Sequence, residues 1–234
     1  MNELEQEKEL AARESLGYIQ SGQVVGLGTG STAAHLVRLL GEKVSSGLRI
    51  RAISTSKKTA ELAASLGIPQ ITFEDSPVID VAIDGADEIG PSLALIKGHG
   101  GALLREKIVA SAARLYIVIG DSTKPVRQLG KMPLPVEVIP FAEALLMRRI
   151  GELGASPALR RNSAGGPFVT DEGHHILDCQ FKEIADPEAL REQLDRMPGV
   201  VEHGLFLGMA DMALIGKGAE VVKLQAARRR AIDA

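Results

Sequence analysis

The chain has no tryptophan, only two tyrosines and five phenylalanines, and a single cysteine in 234 residues. So few rings leave no series of platforms on which bases would stack, and this argues against a reader of nucleic acid. One cysteine forms no intrachain disulfide, and with five scattered histidines it makes no zinc-ligand spacing. A reducing cytoplasm is the expected compartment, and Cys179, in an expected strand, reads as a small core residue. No apolar run has the length of a bilayer crossing. The stretch from Met1 to Leu16 is acidic and charged, unlike a secretion signal, so a soluble protein without membrane contact is expected. An excess of one charge is missing too: 27 basic against 30 acidic residues leave a net charge of -3. Nothing therefore draws the whole surface toward nucleic acid or an anionic membrane, and any anion site must be a local pocket. The run Arg228-Arg229-Arg230 reads as a solvated helix end favoured by the helix dipole.

What is present is a core-forming pattern, 45% hydrophobic, long enough for one large domain or two modest ones. Short apolar runs at Val24–Leu27, Ile50–Ile53, Ile79–Ile83 and Leu115–Ile119 alternate with helical spacing near Thr32–Leu40, Lys57–Leu66 and Ala102–Ala113. That alternation predicts a Rossmann-like, mostly parallel sheet with helices on both faces. Met132-Pro133-Leu134-Pro135 interrupts it and is taken as a domain boundary. A different order follows: a strand at Val136–Ile139, a helix at Ala142–Leu153, short strands flanking Gly165-Gly166 and Gly173, a helix at Pro187–Met197 and a strand after Gly199. This β-α-β-β-α-β order predicts a smaller α+β, ferredoxin-like domain. Ala213–Ile215 then returns as a strand of the first unit. The expected division is 1–131, completed by 207–234, with a small domain at 132–206.

Four polar loops each follow an expected strand: Gly28-Thr29-Gly30-Ser31-Thr32, Ser54-Thr55-Ser56, Asp84-Gly85-Ala86-Asp87-Glu88 and Asp121-Ser122-Thr123-Lys124. Ligands of open parallel sheets bind outside the carboxyl ends of the strands, so the four loops predict one shared site. Thr29, Gly30, Ser31 and Thr32 open a helix whose unpaired amides favour an anion such as phosphate. The loop has neither the Gly-Lys-Ser/Thr of a P-loop nor the last glycine of a dinucleotide fingerprint. Asp84 and Asp87 on a short turn suit proton handling or hydroxyl orientation toward a sugar. A metal suits them less, because Lys97, Arg105 and Lys107 compete for the carboxylates, and no cofactor is expected. Lys97-Gly98-His99-Gly100-Gly101 is an amide-rich loop able to surround an oxyanion, leading into the helix that carries Glu106. By spacing alone Glu106 fits better as part of a surface run with Arg105 and Lys107, and it is the convergence of the strand-end loops that favours it as a site residue. Lys124 lies at a strand end, Lys8 on the first helix is within possible reach of a phosphate, and His174-His175 suits a hairpin because adjacent strand residues face opposite ways.

Taken together these stretches resemble the ribose-5-phosphate isomerase A family. The likeness is carried by Gly26 through Ala33 (GLGTGSTA), Asp84 through Glu88 (DGADE), Lys97 through Lys107 (KGHGGALLREK) and Leu129 through Val138 (LGKMPLPVEV). Val169-Thr170-Asp171 and Pro198 through Phe206 (PGVVEHGLF) continue it along nearly the whole chain. The resemblance implies metal-free interconversion of D-ribose 5-phosphate and D-ribulose 5-phosphate through a cis-enediolate, in the non-oxidative pentose phosphate pathway, by a homodimer or homotetramer. Glu106 is then the general base, acting with Asp84, Asp87 and Lys97. Thr29 to Thr32, Gly85, Ala86, Gly98, His99, Gly100, Lys124 and Lys8 would contact substrate. His99 stands where the family typically has glycine. Two other classes share part of the pattern: a sugar-phosphate sensor, which needs neither Glu106 nor the Asp pair, and a coenzyme A transferase-like enzyme, which also uses a glutamate.

Overall fold

The computed structural model of the chain describes residues 2–226, so Arg228-Arg229-Arg230 lies outside the described residues. The first part runs α1 (Glu3–Ser15), β1 (Val24–Leu27), α2 (Ser31–Ser45), β2 (Arg51–Ser54), α3 (Lys57–Ser65), β3 (Val81–Gly85), β4 (Glu88–Ile89), β5 (Leu95–Ile96), α4 (Leu103–Ala112) and β6 (Tyr116–Gly120). It continues with β7 (Leu134–Val138), α5 (Glu143–Glu152), β8 (Ser156–Leu159), β9 (His175–Gln180), α6 (Pro187–Asp195), β10 (Val200–His203), β11 (Leu205–Phe206), β12 (Met212–Lys217) and β13 (Glu220–Gln225).

Six strands in the order β13-β12-β6-β3-β1-β2 form the main sheet, parallel except for the edge strand β13. The central strands are covered on both faces, which is why β1 and β6 read as unbroken apolar runs rather than alternating ones. Ala11 and Ala12 of α1 and Leu36, Val37 and Leu40 of α2 fill one face with Val25, Leu27, Ile83 and Ile119. Val109 and Ala110 of α4 fill the other with Ala82, Val118 and Ala213. Helices thus lie on both faces, as the alternation requires. β13 carries no such signal: its residues are exposed except for the half-buried Val221 and Leu224.

A second, antiparallel sheet has the order β10-β7-β9-β8, with α5 and α6 in its crossovers. This is the β-α-β-β-α-β arrangement, and its core gathers Val136, Val138, Leu146, Ile150, Leu177, Cys179 and Leu194. The proline stretch behaves differently from expectation, since β7 begins at Leu134 and runs through Pro135. Pro135 has no N–H to give, but its carbonyl accepts from the Gly204 N–H at 2.8 Å, so one side of the strand stays bonded. A third sheet, β11-β5-β4, pairs segments from before and after the second sheet. We propose keeping the boundaries at 131/132 and 206/207, because every strand of the antiparallel sheet falls between them.

Candidate active site

The site begins where β1 ends. Gly28 follows the strand and lies against Asp84 at the end of β3: a Cβ on Gly28 would sit 2.0 Å from Asp84 Oδ1. Only a glycine allows that approach. Asp84 Oδ1 accepts the N–H groups of Thr29 (3.0 Å) and of Gly85 (2.7 Å), which locks the two strand-end loops together. The Thr29 hydroxyl meets three others, those of Thr55 (2.7 Å), Ser56 (2.8 Å) and Thr59 (3.2 Å). Ser56 also caps α3, accepting the Thr59 N–H at 3.1 Å. The sequence marks Thr55 and Ser56 only as a polar strand end, and it gives no reason to single out Thr59. Beyond Thr29, the residues Gly30, Ser31 and Thr32 open α2 and line a pocket.

Across the pocket lies a buried charge cluster. Lys97, 2% exposed, places its Nζ 3.0 Å from Asp84 Oδ2 and 3.4 Å from Glu106 Oε2, and donates to the Gly85 carbonyl at 2.6 Å. The ring of Phe206, which sequence reasoning did not single out, lies 5.5 Å from the same ammonium. Burial opposes the charge on Lys97, yet Asp84 and Glu106 outweigh it and hold its pKa well above the usual lysine value. Burial raises the Asp84 pKa against the pull of Lys97 and the two amides. Burial also pushes Glu106 up, to about 8, with Lys97 opposing and the like charges of Asp84 and Asp87 reinforcing it. A carboxyl group poised there exchanges a proton near neutral pH.

The three consecutive charges of α4 part company. Arg105 faces outward to Glu172 at 2.5 Å. Glu106 is buried on the pocket side. Lys107 turns to Glu202 at 2.5 Å and the His203 carbonyl at 2.7 Å, 4.8 Å from Phe206. Burial lowers its pKa against the pull of Glu202.

Gly85, Ala86, Asp87, Gly98, Gly100 and Lys124 complete the pocket wall, together with Lys97 and Glu106. Asp84 stands directly behind the wall, within the ion pair. His99 is absent from the wall: its Nε2 contacts the Pro133 carbonyl at 2.9 Å, its Nδ1 lies 3.8 Å from Asp87 Oδ1, and its backbone N–H donates to Asp87 Oδ2 at 3.0 Å. Lys8 is likewise absent from the wall and pairs with Glu5 at 2.7 Å, which also holds His35 at 2.9 Å. The first helix contributes instead through Glu7, whose carboxylate accepts the N–H groups of Ser122 (3.0 Å) and Gly218 (2.7 Å) and so fixes the loop that carries Lys124. Those bonds hold Glu7 below the usual carboxylate range. His174 and His175 face opposite ways, to Glu137 at 3.0 Å and Glu143 at 2.7 Å. Among the described residues, no three His, Cys, Asp or Glu side chains converge as a metal site would require, and Lys97 occupies the space between Asp84 and Glu106.

A family model described as ribose 5-phosphate isomerase A (phosphoriboisomerase A) matches residues 51–220. The chain belongs to the ribose-5-phosphate isomerase A family. Ribose-5-phosphate isomerase A of Parvibaculum lavamentivorans is 49% identical over 225 residues, covering 93% of this chain and 97% of that one. The protein of the same name from Roseiflexus castenholzii is 51% identical over 218 residues, covering 92% and 93%. Among solved structures, a D-ribose-5-phosphate isomerase in complex with phospho-erythronic acid superposes with a TM-score of 0.93 at 41% identity, over 96% of this chain and all 100% of that one. The ribose 5-phosphate isomerase of Plasmodium falciparum gives 0.92 at 36%, over 96% and 100%. These two solved isomerases thus share the fold of this chain through nearly its full length.

Proposed function

We propose that the chain interconverts D-ribose 5-phosphate and D-ribulose 5-phosphate through a cis-enediolate, with Glu106 carrying the proton between C2 and C1. The observation that carries this reading is the placement of Glu106: a buried carboxylate on the wall of a polar pocket, 3.4 Å from the ammonium of Lys97. The start of α2 lines the same pocket, where its amides and the Ser31 and Thr32 hydroxyls suit a phosphate, with Lys124 supplying positive charge.

Of the two aspartates Asp87 is the one that lines the pocket, and it handles the ring and hydroxyl protons as the furanose opens. Asp84 holds Lys97 in place. Glu106 then takes the C2 proton of the aldehyde, and the electron pair of that C–H bond forms the C1–C2 double bond while negative charge moves onto O1. Lys97 and the amides of the glycine loop stabilise that charge. The O2 hydroxyl proton passes to O1, and Glu106 returns its proton to C1, leaving a ketone at C2. Phospho-erythronic acid, the ligand of one solved relative, combines a phosphate with a carboxylate whose two oxygens resemble those of an enediolate, which supports the same reading of this pocket. The reaction belongs to the non-oxidative pentose phosphate pathway in the cytoplasm, carried out by a homodimer or homotetramer.

Incubating the pure protein with ribose 5-phosphate and a chelator tests the assignment. Ketose should accumulate to the same equilibrium with or without chelator. No ketose from folded protein would overturn the reading in favour of a binding or transfer function.

A further inference from the structure

From the side of the small antiparallel sheet, Arg160, which directly follows β8, reaches the glycine loop at the reacting end of the pocket. Its guanidinium is held by Asp178 of β9 in a two-pronged pair, Nε to Oδ2 at 2.9 Å and Nη2 to Oδ1 at 2.5 Å. That pairing leaves Nη1 free to donate to two successive carbonyls of the glycine loop, those of Gly98 at 2.9 Å and His99 at 3.1 Å. The guanidinium also lies 5.8 Å from the ring of Phe168. That ring packs on Gly101, where φ is +81° and a Cβ would meet Phe168 Cζ at 2.4 Å. The loop is therefore gripped from the small sheet at two adjoining points.

We infer that Arg160 is a positioning residue for enediolate stabilisation: by fixing the Gly98 and His99 carbonyls it aims the opposing amides at the pocket. The inference rests on the reaction proposed above. In a trans peptide the C=O and N–H point in opposite directions. With the Gly98 carbonyl drawn to Arg160, the His99 N–H is turned to Asp87, where the 3.0 Å bond is found. With the His99 carbonyl drawn the same way, the next N–H, that of Gly100, is turned to the side Gly100 contributes to the pocket wall. One guanidinium thus sets both an amide that orients Asp87 and an amide that meets developing oxyanion charge. Lysine cannot replace it, because a single ammonium lacks the planar fork that satisfies Asp178 and two carbonyls together. The role also gives the second sheet a part in the chemistry, although none of its own residues lines the pocket.

The test is steady-state kinetics of Arg160→Ala with and without added guanidinium, beside Asp178→Asn, which keeps the guanidinium but loosens its aim. We expect kcat for Arg160→Ala to fall about 10- to 100-fold, because misaligned donors act on the transition state. KM for ribose 5-phosphate should stay within about twofold, since the phosphate end is untouched, and guanidinium should restore part of kcat. Asp178→Asn should lower kcat in the same direction by less, and it decides the matter alone if Arg160→Ala does not fold. A kcat within twofold of wild type in the folded variants, or a joint change of kcat and KM that guanidinium does not relieve, would overturn the inference. The parent reading fails separately: Glu106→Gln with intact turnover would refute it whatever Arg160 does.

Discussion

Glu106 carries the account at the scale of single residues. Its burial beside Lys97 sets a pKa of about 8, and a general base works only when deprotonated. On this basis kcat/KM should rise with pH as the free enzyme loses this proton and level off above about 8. A pH–rate profile on ribose 5-phosphate checks this, and an acidic limb near the ordinary glutamate pKa, with a plateau already reached at pH 6, would contradict it. Little of this environment is legible from the residue itself. Arg105, Glu106 and Lys107 are a run of charges whose spacing suits a solvated surface, and only Arg105 behaves that way. The burial of Glu106 and Lys107 depends on Lys97, Phe206 and Glu202, which are brought there by pairings distant in sequence. The family motif, by contrast, singles out Glu106 without revealing its surroundings. The resemblance also implies substrate contacts for Lys8 and His99, whose side chains here meet Glu5 and, for His99, Pro133 and Asp87.

At the scale of elements, the strand ends were the readable part. Apolar runs between helical patterns locate β1, β2, β3 and β6 to within a few residues, because buried parallel strands need continuous apolar sequence. The loops after them must then share one edge of the sheet. The two-residue strands β4, β5 and β11 escaped, being too short to show any periodicity. β13 escaped because its half-exposed edge needs few apolar residues. Gly28 is where the strand-end geometry is tightest. Gly28→Ala would drive a methyl group into Asp84 and displace the carboxylate that holds both Thr29 and Lys97. We expect a loss of about 1–3 kcal/mol in urea denaturation, accompanied by a large drop in kcat. Wild-type stability together with wild-type kcat would show that the Gly28–Asp84 contact does not organise the site.

Across the whole molecule, a chain of net charge -3 gathers a phosphate-suited pocket from parts far apart in sequence. Glu7 on α1 ties the Lys124 loop to the turn between β12 and β13. Asp84 ties β1 to β3, and Arg160 reaches across from the antiparallel sheet. The order of elements, and hence both sheets, could be read from hydrophobic period and glycine and proline placement. These cross-links could not, because each joins residues whose partners are defined only once the sheets are packed. All of them converge on one claim, that a single buried carboxylate moves the proton. Turnover of Glu106→Gln, measured with ribose 5-phosphate affinity by calorimetry and folding by circular dichroism, tests it most directly. The account predicts a folded protein that binds substrate within a few-fold of wild type and turns over about 10²- to 10⁴-fold more slowly. A folded Glu106→Gln protein whose turnover stays within tenfold of wild type would contradict it.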